Sequence, residues 1–301
     1  MNTTGLTAKI EESMERVVCQ NCRRKFDKQE IKDQPVKPYK LGKPIFTMHQ
    51  QTDLTSKVGD MGGYVTDIVM MDDGRLVICI PKQRILLICN TDGSQIDSID
   101  VQGKPICVTA VNNSTVAVPL LYSYSIEMYD INNKLTLKSI SVPRITWTGI
   151  TTINNKLVVS GNKNLLTIDH QTGEVVQTIQ SACYPYWLHG SGDRIFYCDN
   201  FYNNNKKLYW YSCTDNRHHT LTLPAGPRSM TTLQDGSLYV TCNDGSVQHV
   251  SYDGKQYKSV KTKGFQKLKY TLMSYNLKQR KLIIKHERVD NMWIFNVFYE
   301  E

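Results

Sequence analysis

The sequence predicts an all-β fold, a six-bladed β-propeller with four antiparallel strands per blade and an N-terminal strand closing the last blade. Three observations predict it. Six apolar triplets recur, Leu76-Val77-Ile78, Val116-Ala117-Val118, Leu157-Val158-Val159, Ile195-Phe196-Tyr197, Leu238-Tyr239-Val240 and Leu282-Ile283-Ile284, with first residues 40, 41, 38, 43 and 44 positions apart. Turn-forming pairs such as Asp73-Gly74, Asn112-Asn113, Asn154-Asn155, Gly192-Asp193 and Asp235-Gly236 precede the first five. Around each triplet lie further strand-like runs, which brings the unit to four strands in about 40 residues, the size of a propeller blade.

Taken in order, the first strands are expected at Val65–Met70, Ile106–Val111, Trp147–Ile153, Tyr186–Leu188, Ser229–Leu233 and Tyr270–Met273. The triplets are the second strands. Third strands follow at Ile85–Ile88, Ile126–Tyr129, Leu165–Ile168, Leu208–Tyr211, Val247–Val250 and Trp293–Phe295. Fourth strands follow in five units, and the sixth unit stops at Glu301 after its third. A closing strand is expected at Thr52–Val58, because Val58 precedes Val65 by the same seven residues that separate Ile99 from Ile106. Closure removes a free sheet edge. Residues 45–301 are thus the propeller. Residues 1–44 are a short helix, with Leu6, Ile10, Met14 and Val18 in a stripe, and then a charged linker. Such a stripe is also what a coiled-coil remnant would show, dimerising in a longer form.

Charge is unevenly spread. Of a net +8, residues 255–288 carry eleven Lys/Arg and one acid, and residues 1–44 carry ten and six, so the rest of the chain is net acidic. The nine cysteines are odd in number, and several sit inside apolar runs, as in Val77-Ile78-Cys79-Ile80. No basic start with an apolar stretch marks a secretory signal, and no run reaches the ~20 apolar residues of a membrane span. The expectation is reduced thiols in the cytoplasm, with no membrane partner.

Strings such as Asp73-Gly74-Arg75-Leu76-Val77-Ile78, Leu87-Ile88-Cys89-Asn90-Thr91-Asp92-Gly93 and Asp235-Gly236-Ser237-Leu238-Tyr239-Val240 resemble NHL-type repeats. The order of helix, linker and six repeats is similar to the C-terminal part of a tripartite-motif (TRIM) protein. That resemblance implies an arm that recognises a partner, protein or RNA, in the ubiquitin pathway. The RING and B-box zinc modules that carry ligase chemistry in such proteins have no counterpart in this sequence, so ligase activity does not carry over to it.

No catalytic, metal or cofactor site is expected. Cys19 and Cys22 are half of a zinc site, and no Cys or His follows until His49. The starts of the first strands offer no carboxylates of the kind that ring a central calcium in six-bladed lactonases. No P-loop or nucleophile elbow is present. The face formed by the loops into the first strands and the loops between second and third strands instead collects Tyr64, Arg84, Tyr122, Tyr124, Arg144, Trp147, Tyr184, Tyr186, Trp187, Phe201, Tyr202, Arg228, Lys267 and Arg288. Aromatic and Arg side chains are the types enriched at binding hot spots. Trp147 and Trp187 are the ones expected to pack between blades. Arg144, Tyr184, Tyr186, Arg228, Lys267 and Arg288 are the expected partner-binding residues. The expected function is a non-catalytic protein-interaction module. Single-stranded RNA binding and a lactonase-like hydrolase are the alternatives.

Overall fold

The computed structural model describes residues 38–54, 64–142, 149–199, 205–261, 271–287 and 293–301. They build a six-bladed β-propeller, all-β and without helices. Strand β1 (Phe46–Asp53) is the outermost strand of the last blade. Blade one is β2 (Asp67–Met70), β3 (Leu76–Ile80), β4 (Ile85–Cys89) and β5 (Asp97–Asp100). Blade two splits its innermost strand into β6 (Lys104–Pro105) and β7 (Thr109–Ala110), both paired with β8 (Thr115–Leu121), and continues with β9 (Ser125–Asp130) and β10 (Leu135–Ser141). Blade three is β11 (Ile150–Ile153) to β14 (Val175–Gln180), through β12 (Lys156–Ser160) and β13 (Asn164–Ile168). Blade four is β15 (Pro185–Ser191), β16 (Arg194–Asp199), β17 (Lys207–Ser212) and β18 (Arg217–Thr222). Blade five is β19 (Pro227–Thr232), β20 (Leu238–Cys242), β21 (Val247–Val250) and β22 (Tyr257–Ser259). Blade six is β23 (Leu272–Asn276), β24 (Lys281–Glu287), β25 (Trp293–Glu300) and then β1.

The N-terminal strand closes the ring, but it lies earlier than Thr52–Val58. It pairs antiparallel with β25 from Phe46↔Glu300 to Asp53↔Ile294, with a bulge at His49. The seven-residue spacing does not locate this strand, because it is mostly polar along its length and is placed by its first residues. Ile45 and Phe46 are buried in the seam between blades five and six, where the Phe46 ring meets Tyr239 at 5.6 Å and Tyr275 at 5.4 Å. Residues 55–58 lie outside the described residues, as do the helix expected over Leu6–Val18 and the Cys19/Cys22 pair.

The segment before β1 is tied to blade five. Tyr39 N donates to Asp235 Oδ2 at 2.8 Å, and Gly42 N donates to His249 Nδ1 at 3.4 Å. That leaves His249 Nε2 as the donor to Ser237 Oγ, 2.8 Å away. Burial pushes the His249 pKa down to about 4, so the ring stays neutral and can accept from Gly42.

Each seam between neighbouring blades holds one buried apolar cluster. Second and third strands are covered on both faces, so β3 and β4 read as unbroken apolar runs in which every residue is buried. Each buried Leu, Ile or Val contributes roughly 1.5–3 kcal/mol. A glycine makes one of these seams possible. Gly254, at φ +73°, lies against Trp210 of blade four, and a Cβ there would sit 2.7 Å from the indole.

The outer strands are blunted in two ways. Strands β5 and β18 carry Asp97 and Asp100, or Arg217, His218 and His219, and pair without a bulge. Strands β10 and β14 hold one lysine and no charge respectively, and each contains a bulge. Both devices discourage pairing with another chain.

Removing residues 1–37 should leave the melting temperature unchanged. Removing residues 1–54 should lower it by about 10 °C or more and promote aggregation, since it strips Phe46 from its seam and frees the β25 edge. Matching melting temperatures and solubility for the two truncations would contradict closure by β1.

Candidate functional site: the upper face of the ring

Every blade begins at the same end of the axis. That end, the upper face, holds the connections into the first strands and those between second and third strands. The lower face holds the remaining turns.

The first strands surround an axial cavity of about 480 Å³. At its upper end Trp187 packs against the clusters of three different seams, one between blades six and one, one between two and three, and one between four and five. It therefore lies across the axis; Trp147, the other indole expected to pack between blades, lies outside the described residues. The cavity reaches Asp72, Gly192 and Leu277 in the lower turns.

Polar side chains in the cavity cross from blade to blade. Asp67 accepts from Val108 N and from its neighbour Ile68 N, both at 2.9 Å, and so ties blade one to blade two. Thr152 Oγ1 donates to Ala110 O (3.1 Å), and Thr151 Oγ1 accepts from Gly190 N (2.8 Å). His189 Nε2 meets Thr232 Oγ1 at 2.7 Å. Ser229 Oγ accepts from Met273 N (2.9 Å), and Thr231 Oγ1 accepts from Tyr275 N (3.1 Å). Ser274 Oγ accepts from Met70 N (2.9 Å) and completes the circle. Burial raises the Asp67 pKa to about 7, with the amides of Val108 and Ile68 and the thiol of Cys107 opposing it in part. Burial also pushes His189 down to about 4. Among the described residues no group of three His, Cys, Asp or Glu side chains is placed to hold a metal. The seven described cysteines are unbonded, and all but Cys213 are buried. Burial raises the thiol pKa of Cys79, Cys107 and Cys242, which keeps them protonated and unreactive.

The upper turns are different in kind. Tyr64, Tyr122, Tyr124 and Tyr184 are 58, 66, 48 and 46% exposed. Lys82, Arg84, Lys104, Lys163, Lys206, Lys207 and Lys261 are exposed beside them, against exposed Asp100 and Asp244. The Lys163 ammonium lies 5.0 Å from the centre of the Tyr184 ring. Left-handed backbone is also assigned to different residue types on the two faces. Among the described residues, those of the upper face with left-handed backbone are Arg84 (φ 58°), Tyr122 (65°), Tyr124 (52°), Lys163 (56°) and Gly245 (82°). The lower turns fill such positions with Gly74, Gly93, Gly173, Gly192, Gly236, Gly254, Asn154, Asn155 and Asn216, and otherwise with Gln95, Lys134 and Arg280. Glycine and asparagine adopt this conformation readily. Other L-residues sacrifice roughly 1–2 kcal/mol each. Three of the upper residues are also clamped. Arg84 O, Tyr124 O and Lys163 O accept from the residue just after the fourth strand of the same blade, Val101 N (2.8 Å), Val142 N (2.8 Å) and Ser181 N (3.0 Å).

Of the six expected partner-binding residues, Tyr184 is exposed on this face. Tyr186 is half-buried and stands edge-on to Trp187, with ring centres 5.3 Å apart. Arg228 is half-buried in β19, and its carbonyl accepts from the Cys198 thiol at 3.6 Å. Arg144, Lys267 and Arg288 lie outside the described residues, so their convergence on a central depression is not shown. Sequence reasoning put Arg84, Tyr122 and Tyr124 on the face but did not select them, because left-handed backbone at a Tyr or Arg leaves no mark in composition. Lys163 shares that backbone and lies on this face too, though its sequence context does not mark it.

No protein-family model and no curated protein matches the sequence. Solved structures share the propeller fold at low identity. The Pan2 WD40 domain of Neurospora crassa has TM-score 0.61 and 10% identity, over 83% of this chain and 95% of that one. U3-55K has TM-score 0.61 and 9% identity, over 76% of each chain. A catalytically inactive virginiamycin B lyase from Staphylococcus aureus, with quinupristin, has TM-score 0.59 and 15% identity over 84% and 88%. A WD40 domain and a lyase thus resemble the chain about equally, and the likeness shows the fold.

The two axial groups titrate in opposite senses. His189, with its folded pKa depressed, contributes stability that is complete above the unfolded value of 6.5 and is lost as pH falls towards 4. Asp67, with its folded pKa raised from 3.8, contributes stability that is complete below 3.8 and is lost as pH rises through about 7. Between about pH 5 and pH 8, urea denaturation should show Asp67→Asn gaining roughly 2–3 kcal/mol relative to the parent protein. A constant difference would mean that Asp67 is already ionised in the fold at the lower pH.

Proposed function

We propose that this chain is a non-catalytic interaction module that holds a protein partner on its upper face. The observation that carries the reading is the difference in which residue types take left-handed backbone on the two faces among the described residues. Where the lower turns mostly use Gly and Asn, the upper turns hold Arg84, Tyr122, Tyr124 and Lys163 in left-handed backbone. Strain of this kind persists where a side chain is needed for function and the surroundings fix it. The exposed tyrosines supply rigid apolar area and the neighbouring cations supply orientation, the mix found at hot spots. In the axial cavity the polar side chains are instead engaged across the seams, which argues against a catalytic use of the channel. The WD40-type neighbours agree with a role in protein interaction. The resemblance to NHL-type repeats and TRIM arms agrees too, and under it the partner would be a target within the ubiquitin pathway.

The test compares two triple variants for stability and for the yield of proteins captured from native extract treated with ribonuclease. Arg84→Asn/Tyr124→Asn/Lys163→Asn relaxes the upper turns, and Gln95→Asn/Lys134→Asn/Arg280→Asn relaxes the lower ones. Both should be at least as stable as the parent, with gains of about 1 kcal/mol or more. Only the upper variant should lose its partners, by about tenfold or more. Loss confined to the lower variant, or to neither, would place the binding surface elsewhere, and capture abolished by ribonuclease would identify the partner as RNA.

A further inference from the structure

Arg84, Tyr124 and Lys163 occupy one equivalent position in three successive blades. Each immediately precedes the third strand of its blade, and each carbonyl is held by the residue just after the fourth strand. Their separations, 124 − 84 = 40 and 163 − 124 = 39 residues, match the blade repeat. The fold therefore presents a cation, an aromatic ring and a cation in a fixed order along an arc, all three exposed. Tyr184 extends the third position, since its ring lies beneath the Lys163 ammonium. The array runs on into blade four, where exposed Lys206 immediately precedes β17 and its carbonyl accepts from Leu223 N (2.9 Å), and stops at blade five. The matching turn of blade five has Gly245 and an exposed Asp244, and Asp100 is exposed at the upper end of blade one.

Resting on the reading of the upper face as a protein-binding surface, we propose that this array recognises an extended acidic peptide with an aromatic or apolar side chain set between two carboxylates. Cations at the two ends take carboxylates by charge-assisted hydrogen bonds. The Tyr124 ring between them gives apolar contact with little loss of side-chain entropy, and its strained backbone is already fixed in the free protein. A nucleic-acid strand fits less well. It carries a phosphate at every nucleotide and needs a continuous cationic track, and Asp100 and Asp244 interrupt this one.

Fluorescence anisotropy with three labelled probes tests the proposal: a random copolymer of glutamate and tyrosine, poly-L-glutamate, and oligouridine. The copolymer should bind about tenfold more tightly than poly-L-glutamate, because only it can fill the middle position. Arg84→Asn and Lys163→Asn should each weaken both acidic probes by about tenfold, and added salt should weaken them further. Tyr124→Asn should bring the copolymer down to the level of poly-L-glutamate while leaving poly-L-glutamate unchanged. Tightest binding of oligouridine, or acidic-probe affinities that ignore all three substitutions, would overturn the proposal. If the acidic probes fail while the upper triple variant still loses its captured partners, the acidic-peptide inference falls and the upper face stands as a site for a partner of other chemistry.

Discussion

The structure depends on how the innermost strands of the blades are satisfied. Each of these strands pairs with a neighbour on one side only, and its other edge faces the axis, where no further strand can lie. Backbone amides and carbonyls left bare in such a place cost about 1–3 kcal/mol each when removed from water. Here short polar side chains of the adjacent blade take their place. Ser229 meets Met273 N, Thr231 meets Tyr275 N, Ser274 meets Met70 N, Thr151 meets Gly190 N and Asp67 meets Val108 N. The same bonds that complete the inner edges also join blade to blade, so ring closure and backbone satisfaction are one requirement.

This requirement shapes what the protein can do. The axial cavity is the customary place to look for chemistry in such a fold, and it does contain a carboxyl, a histidine and thiols. Two of them are engaged in hydrogen bonds between blades. Asp67 accepts two amides, His189 is neutral against Thr232, and Trp187 lies across the axis. With the inside engaged in holding the ring, variety is left to the turns, which a rigid scaffold can vary freely. The two faces have used that freedom differently. The carboxylates of the lower turns accept backbone amides two residues on, as Asp73, Asp130, Asp169, Asp215 and Asp253 do. The upper turns keep Tyr, Arg and Lys exposed at a cost in backbone strain.

The blades were legible because their second and third strands are buried on both faces. Covering both faces turns Leu76–Ile80 or Leu282–Ile284 into uninterrupted apolar runs, and the Asp-Gly and Asn-Asn pairs between them name the turns. What was not legible follows from the same physics. The closing strand has one solvent-facing side and an unpaired outer edge, so Thr47, His49, Gln50 and Gln51 leave no periodic signal, and only its packing against Tyr239 and Tyr275 fixes where it begins. The split of the first strand of blade two at Ile106–Val108 follows from an aspartate in the blade before it. The binding face could be drawn from topology alone. The choice of residues within it needed backbone angles, which is why Tyr124 is singled out, and Lys163 added, only by the structure.

Hydrogen exchange at the inner-strand amides tests this division of labour most directly. Met70, Val108, Gly190, Met273 and Tyr275 have no strand partner on their axial side, yet they should exchange as slowly as amides in the middle of β3 and β24. Ser274→Ala should speed Met70, and Ser229→Ala should speed Met273, without changing the other seams. If in the parent protein these five amides exchange at the rates of the exposed turns, the polar side chains of the cavity are not holding the blades together and are free for other work.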